Sequence, residues 1–293
     1  MHAHGARPVR RSLIAHRQSA TFDRVQPQPN GERARKALAG AWEVTGRAGL
    51  HEAVIVVTSF LIYFLVRGAV VDRAHFAFDN AERLIDLERA TWLHHEQAMQ
   101  SWVLDRYWLI RSLNFVYFWG HMPLVVGIGV WLWVRHRYEY VLTRNALLAS
   151  GAIGLVIYWL WPVAPPRLLP DSGLIDTMAL YDRVSYNAQE TSAFVNPYAA
   201  VPSLHFGWSM LLGGVVGWVG RGPLHWAFGV IWPVAMFLSI VMTGNHFILD
   251  AVGGAAVSFA GLWIALELDR RWPHIFTRIS GRTPARRGGG PPL

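Results

Sequence analysis

The chain has 293 residues, 53% of them apolar, no cysteine and a formal net charge of +8. The lack of cysteine excludes disulfides, thiolate metal sites and cysteine nucleophiles. Lys36 is the only lysine, and the arginines that carry the basic balance sit beside apolar blocks rather than in a polar domain, which disfavours a nucleic-acid partner.

Residues 1–50 are polar and arginine-rich, broken by Pro27, Pro29 and Gly31. No apolar core follows the first arginines closely enough for a cleaved signal peptide, so this stretch reads as a disordered cytoplasmic tail with an interfacial helix near 33–47. From residue 51 onward the apolar residues come in nearly uncharged blocks, an aggregation hazard in water and a set of helices in a bilayer. About six spans of roughly twenty residues fit them, near 52–71, 110–134, 143–163, 203–220, 224–243 and 246–267. The expected fold is an all-α polytopic membrane bundle over 51–270. Gly120 and Pro123 predict a kink in the second span. Between Ala81 and Trp102, the apolar residues Leu84, Ile85, Leu87, Trp92 and Leu93 recur at helical spacing, predicting one amphipathic helix at the outer interface. Residues 271–293, with Arg286, Arg287 and a Gly/Pro run, read as a second disordered tail. No internal repeat suggests an inverted-repeat transporter.

Charge sets the expected orientation in a cell membrane. Arginines crowd the N-terminal tail, the turn after span two (Arg135, Arg137, Arg144), the turn after span four (Arg221) and the C-terminal tail. The stretches after spans one and three carry Asp72, Asp79, Glu82, Asp86, Glu88, Glu96 and Asp105, and then Asp171, Asp176, Asp182 and Glu190. Both termini are therefore expected in the cytoplasm and both acidic loops outside.

Three segments bring chemistry to the expected outer face. Tyr158 to Arg167, with Pro162, Pro165 and Pro166, ends span three; 201–205, containing Pro202, Ser203 and His205, opens span four; 243–250, containing Asn245, His246 and Asp250, opens span six. His246 and Asp250 are one helical turn apart, so the carboxylate can fix the imidazole tautomer and raise its basicity, as a nucleophile requires. His205 lies in the first turn of a helix whose N-cap is Ser203, where free N–H groups favour anions. Arg167 can clamp two phosphate oxygens with its planar fork. Each residue alone has a structural reading: an interhelical histidine, an aspartate in an aqueous cleft, a snorkelling arginine, a helix stop. Their gathering at one face favours function, since polar groups at membrane depth are costly.

These segments resemble motifs of the type 2 phosphatidic acid phosphatase superfamily, especially its inositol phosphorylceramide synthase-like branch. Pro202-Ser203-Leu204-His205 resembles the Pro-Ser-x-His motif, the His246 to Asp250 stretch the His-x-x-x-Asp motif, and Pro165-Pro166-Arg167 the branch's first motif. The similarity runs from about Glu82, through Tyr117 and His121, to Gly254. It implies a phosphohistidine on His246 oriented by Asp250, a leaving oxygen protonated by His205, phosphate held by Arg167, and no cofactor or metal. Ser203, Tyr158, Asn245 and His121 complete the expected substrate-binding set. The implied substrate is a phospholipid or polyprenyl phosphate in the bilayer, with water or an alcohol such as inositol or a sugar as acceptor. Two cations of the broad superfamily are missing, with Leu160 and Ile240 in their places, which points to the synthase-like branch; Arg183, Arg89 or His121 could compensate. His94, His95 and His136 read as plain loop or interface residues. The competing readings are a polyprenyl-phosphate or phosphatidate phosphatase, a hydrolase holding zinc on His205, His246 and Asp250, and a non-enzymatic transporter or scaffold.

Overall fold

The computed structural model describes residue 46 and residues 49–62, 65, 73–182 and 198–273. The expected tails, the N-terminal interfacial helix and Arg183 lie essentially outside these residues. The chain divides into two compact units, Met1–Leu50 and His51–Leu293, and the long apolar helices belong to the second.

Among the described residues the architecture is helical, with no strand. Helix α1 (Gly49–Ile62) is apolar but short. Helices α2 (Ala74–Ala90) and α3 (Glu96–Leu104) follow, then α4 (Tyr107–Phe115), which runs through a π-helical turn at Val116–Gly120 into α5 (His121–Arg135). Next come α6 (Arg137–Leu160), α7 (Leu204–Gly220), α8 (Pro223–Met242) and α9 (Ile248–Arg271). Among the described residues, four stretches are long and apolar enough to cross a membrane: Tyr107–Arg135, Arg137–Leu160, Pro223–Met242 and Ile248–Arg271. The expected first span ends among undescribed residues, and α7 has 17 residues, short of a full crossing on its own. Many large apolar side chains on the long helices point outward, among them Val126, Val130, Val156, Ile231, Phe259 and Trp263, as suits a lipid-facing surface.

Three local expectations change. The single amphipathic helix over 81–102 is two helices, parted at 91–95, where Trp92 adopts a left-handed φ of 60°. The irregularity expected at Gly120 and Pro123 takes the form of a π turn that ends on Gly120, ahead of Pro123. Arg144 is not in a turn but inside α6, ion-paired with Glu52 of α1.

The helices that carry the site are packed through missing side chains. At the crossing of α7 and α9, a Cβ on Gly254 would lie 2.1 Å from the Ser203 carbonyl oxygen, and one on Gly207 would lie 2.3 Å from the Gly254 carbonyl oxygen. Backbones can approach this closely only when both faces are bare, the small-residue solution to helix association in lipid. Gly213 and Gly229 do the same between α7 and α8, and Gly261 against α6. Gly254→Val is therefore expected to separate α7 from α9, lowering stability by about 3 kcal/mol or more; an unchanged thermal midpoint of the detergent-solubilised protein would show that this crossing does not hold the helices together.

Candidate active site

The geometry begins where α8 ends. The N–H groups of Asn245 and His246 both donate to the Ile240 carbonyl, at 3.1 and 3.0 Å, and Gly244 N–H donates to Val241 at 3.0 Å. This reversal needs a left-handed residue, and Gly244 supplies it with φ +74°. The chain then enters α9 with Phe247 as N-cap residue. Asp250, in the first turn of α9, reaches back so that its Oδ2 accepts the Phe247 N–H at 2.9 Å, satisfying a donor that the helix start leaves open.

The same Oδ2 lies 3.1 Å from His246 Nδ1, and the Ala200 carbonyl oxygen lies 2.9 Å from that nitrogen. A carbonyl can only accept, so Nδ1 carries the proton and donates to both oxygens. In the neutral ring the lone pair is then on Nε2. Both side chains are buried, Asp250 completely.

Ala200 owes its place to the end of α6. Pro162 has no N–H to continue the helix, and the chain leaves in extended form, with Val163 bridged to Ala199 in parallel register. Val163 N–H donates to Tyr198 at 2.9 Å and Ala200 N–H to Val163 at 3.2 Å, leaving the Ala200 carbonyl for His246. The segment is also fastened to α2: Ala164 N–H donates to Ala77 at 2.9 Å, and Asn80 Nδ2 to Pro162 at 2.9 Å.

From Ala200 the chain passes directly into α7. Tyr158 donates its hydroxyl to the Pro202 carbonyl at 2.6 Å, and Ser203 N–H donates to the Asp250 carbonyl at 2.9 Å. Tyr158 is thus a brace for the 201–205 segment. Ser203 occupies the N-cap position, but its side chain makes no capping bond; its Oγ is buried without a hydrogen-bond partner. His205, in the first turn of α7, is half-buried, its ring centroid 6.1 Å from that of His246, 4.7 Å from Tyr117 and 4.8 Å from His121. Tyr117 lies in the π turn and stands 6.3 Å from His246. His121 is buried, with Nδ1 3.4 Å from Ser209 Oγ, which accepts from Trp232 Nε1 at 3.1 Å.

Arg167 comes to the same turn from the other side. Its N–H donates to the Gly244 carbonyl at 3.0 Å and its Nη1 to Asn245 Oδ1 at 2.6 Å, while Asn245 Nδ2 donates to Thr243 Oγ1 at 2.6 Å. Asn245 therefore fixes the guanidinium. Arg167 Nε is 3.3 Å from Asp176 Oδ2, and the arginine side chain is only 7% exposed. The segment carrying Asp176 is pinned by amides of the preceding helices: Gln100 exchanges two hydrogen bonds with the Ile175 backbone, at 2.9 and 2.7 Å, and Asn114 binds Thr177.

The two positions without the superfamily's cations face elsewhere. Leu160 is 64% exposed, and Ile240 is buried with Met236, Val241 and Ala251. Of the three candidate compensators, Arg183 lies outside the described residues, Arg89 is exposed 3.5 Å from Asp86, and His121 touches the His205 ring. As for zinc on His205, His246 and Asp250, His246 Nδ1 is spent on Ala200, and the one group of side chains with metal-ligand spacing among the described residues is a different one: Glu88, His94 and Glu96.

In the sequence those two glutamates read as acids of the outer stretch, within the expected 81–102 helix and with no role assigned. Glu88 Oε1 accepts the Leu249 N–H at 2.8 Å and Glu96 Oε1 the Ile248 N–H at 3.0 Å, so with Asp250 they satisfy three donors at the start of α9. Burial, and then the neighbouring Glu96, push the Glu88 carboxyl up to about 9. Other groups that sequence reasoning passed over are Asp176, Gln100, Asn114 and the Ala200 carbonyl. Periodicity could have flagged Glu88, which shares the inward face of α2 with Ala81, Leu84 and Ile85.

Tyr158→Phe is expected to leave the Pro202 carbonyl without its donor and to cost about 1–3 kcal/mol, read as a lowered thermal midpoint; a midpoint equal to that of the unaltered protein would show that the brace is idle. Compared with known proteins, residues 82–264 match the profile of a family described as the PAP2 superfamily. Comparison with curated proteins and with solved structures found no match.

Proposed function

The chain belongs to the PAP2 superfamily, and from that premise we propose that it is a membrane lipid-phosphate phosphotransferase or phosphatase that works through a phosphohistidine on His246. The observation that carries this reading is the double hydrogen bond from His246 Nδ1 to Ala200 and Asp250, which leaves Nε2 with the lone pair. Nε2 attacks phosphorus, the bond from phosphorus to the lipid oxygen breaks, and His205 gives that oxygen its proton. The positive charge gained by the His246 ring is balanced by Asp250. In the second half, water or an alcohol loses a proton to His205 and takes the phosphoryl group from Nε2, restoring both imidazoles.

Arg167, held by Asn245, supports this scheme as the anion binder, and the N–H groups at the start of α7 add positive potential beside His205. Ser203 Oγ, buried beside those groups without a hydrogen-bond partner, can donate to a phosphate oxygen. His121 and Tyr117 set the wall behind His205. The substrate is a phospholipid or polyprenyl phosphate entering from the bilayer. The charge pattern puts the site on the extracytoplasmic face and both termini inside. Replacement of the superfamily's two cations by Leu160 and Ile240 favours the inositol phosphorylceramide synthase-like branch, with transfer to an alcohol such as inositol or a sugar. With water as acceptor, the same half-reactions make a polyprenyl-phosphate or phosphatidate phosphatase.

His246→Ala is expected to abolish turnover, and Asp250→Asn to lower kcat by orders of magnitude with little change in KM. Quenching the protein with labelled lipid phosphate should give an acid-labile, base-stable adduct on His246. Label on another residue, or retained turnover in His246→Ala, would end this assignment. Mass spectrometry of products formed from several phospholipids, with and without inositol, separates transfer from hydrolysis.

A further inference from the structure

Beneath the start of α9 lies a group that the proposed phosphoryl chemistry does not use. Glu88 is in the last turn of α2 and Glu96 is the first residue of α3; His94 stands in the short connection between them. Each glutamate gives one oxygen, Oε1, to an N–H of α9. The second oxygen of each, and Nδ1 of His94, are buried with no hydrogen-bond partner. These atoms converge: His94 Nδ1 is 3.2 Å from Glu96 Oε2 and 3.7 Å from Glu88 Oε2, and all three lie within 4.8 Å of one another.

Two buried carboxylate oxygens facing one another are an unfavourable arrangement in themselves, and His94 Nδ1 meets them as an acceptor or, where it carries the ring proton, as a donor. Among the described residues, no arginine or lysine pairs with either carboxylate, and both glutamate side chains are 0% exposed. Something positive must sit between them: a proton or a cation. The spacing suits a cation. Ligands about 2.0 Å from a tetrahedral zinc stand about 3.3 Å apart, between the two histidine–carboxylate distances. Two carboxylates and an imidazole are a ligand set for a borderline divalent ion. His94 is 29% exposed, so the three buried ligand atoms lie one imidazole ring from the surface.

We propose that Glu88 Oε2, Glu96 Oε2 and His94 Nδ1 form a binding site for a divalent transition-metal ion of the zinc class, structural in role. The bound ion makes each carboxylate a bridge, one oxygen on the metal and the other on the start of α9. It thereby locks the α2–α3 connection to Ile248 and Leu249, just past the His246 turn. No step of the phosphoryl chemistry passes through it, and the inference stands apart from the reading of His246.

The test uses tag-free full-length protein in detergent, loaded with zinc chloride and dialysed against metal-free buffer. Elemental mass spectrometry should find about one zinc per chain, and zinc should raise the thermal midpoint by a few degrees. His94→Ala and Glu96→Gln should lose at least nine-tenths of the retained metal and the zinc-dependent shift. The metal-free midpoint of His94→Ala, expected near that of the unaltered protein because its side chain is partly exposed, checks that this variant folds. No retained zinc and no shift in the unaltered protein would overturn the proposal, leaving a shared proton between the carboxylates. Equal zinc retention in folded variants would overturn it too, by placing the metal on other histidines.

Discussion

The organisation of this protein turns on one proton, that on His246 Nδ1. Two acceptors compete for it, the Ala200 carbonyl and the Asp250 carboxylate, and together they fix both the tautomer and the plane of the ring. Neither acceptor is where it is by chance. Ala200 is set by its pairing with Val163 after a proline-terminated helix, and Asp250 by its bond to the N–H of Phe247 at the start of α9. Three segments distant in sequence are thus answerable to a single imidazole nitrogen.

That arrangement survives because the elements meet through backbone. Ser203 N–H binds the Asp250 carbonyl, Arg167 N–H the Gly244 carbonyl, and Ala164 N–H the Ala77 carbonyl. The first of these would be out of reach if the α7–α9 crossing held ordinary side chains, and Gly207 and Gly254 keep it within reach. In a lipid setting, where apolar burial between helices adds little, close contact and satisfied polar groups carry the cohesion that a hydrophobic core supplies in water.

Much of the site was legible in sequence because its signals are local. The pairing of His246 with Asp250 was readable from their spacing of four, although His246 stands ahead of α9 and the carboxylate meets it by reaching back past the N-cap, and the placement of His205 at a helix start follows from Pro202 and Ser203. The apolar blocks gave the long helices, four of which have the length to cross a bilayer. What could not be read depended on tertiary meetings. Ser203 sits at the N-cap yet makes no capping bond, and Arg144 is a half-buried ion-pair partner inside a helix rather than a turn residue. Glu88 and Glu96 had no role assigned because nothing in a one-dimensional pattern says that two carboxylates will close the end of a helix some 150 residues later. The Ala200 carbonyl had no signal at all, since alanine advertises nothing about its main chain.

The bond from Ser203 to Asp250 has an implication for diversity among chains built on this plan. It ties the N-cap residue of α7, two residues before His205, to the first turn of α9, just past His246, so the main chain beside both imidazoles, whose centroids stand 6.1 Å apart, is held together by a bond that no side chain makes. Under the proposed function, a change of lipid preference does not readily come from widening or narrowing that gap. It must act on the rim: the rings of Tyr117 and His121 behind one imidazole, and the Asp176-bearing segment beside Arg167. The bonded pair of helix starts is then the fixed part of the plan, and under the proposed function selectivity belongs to the parts that surround it.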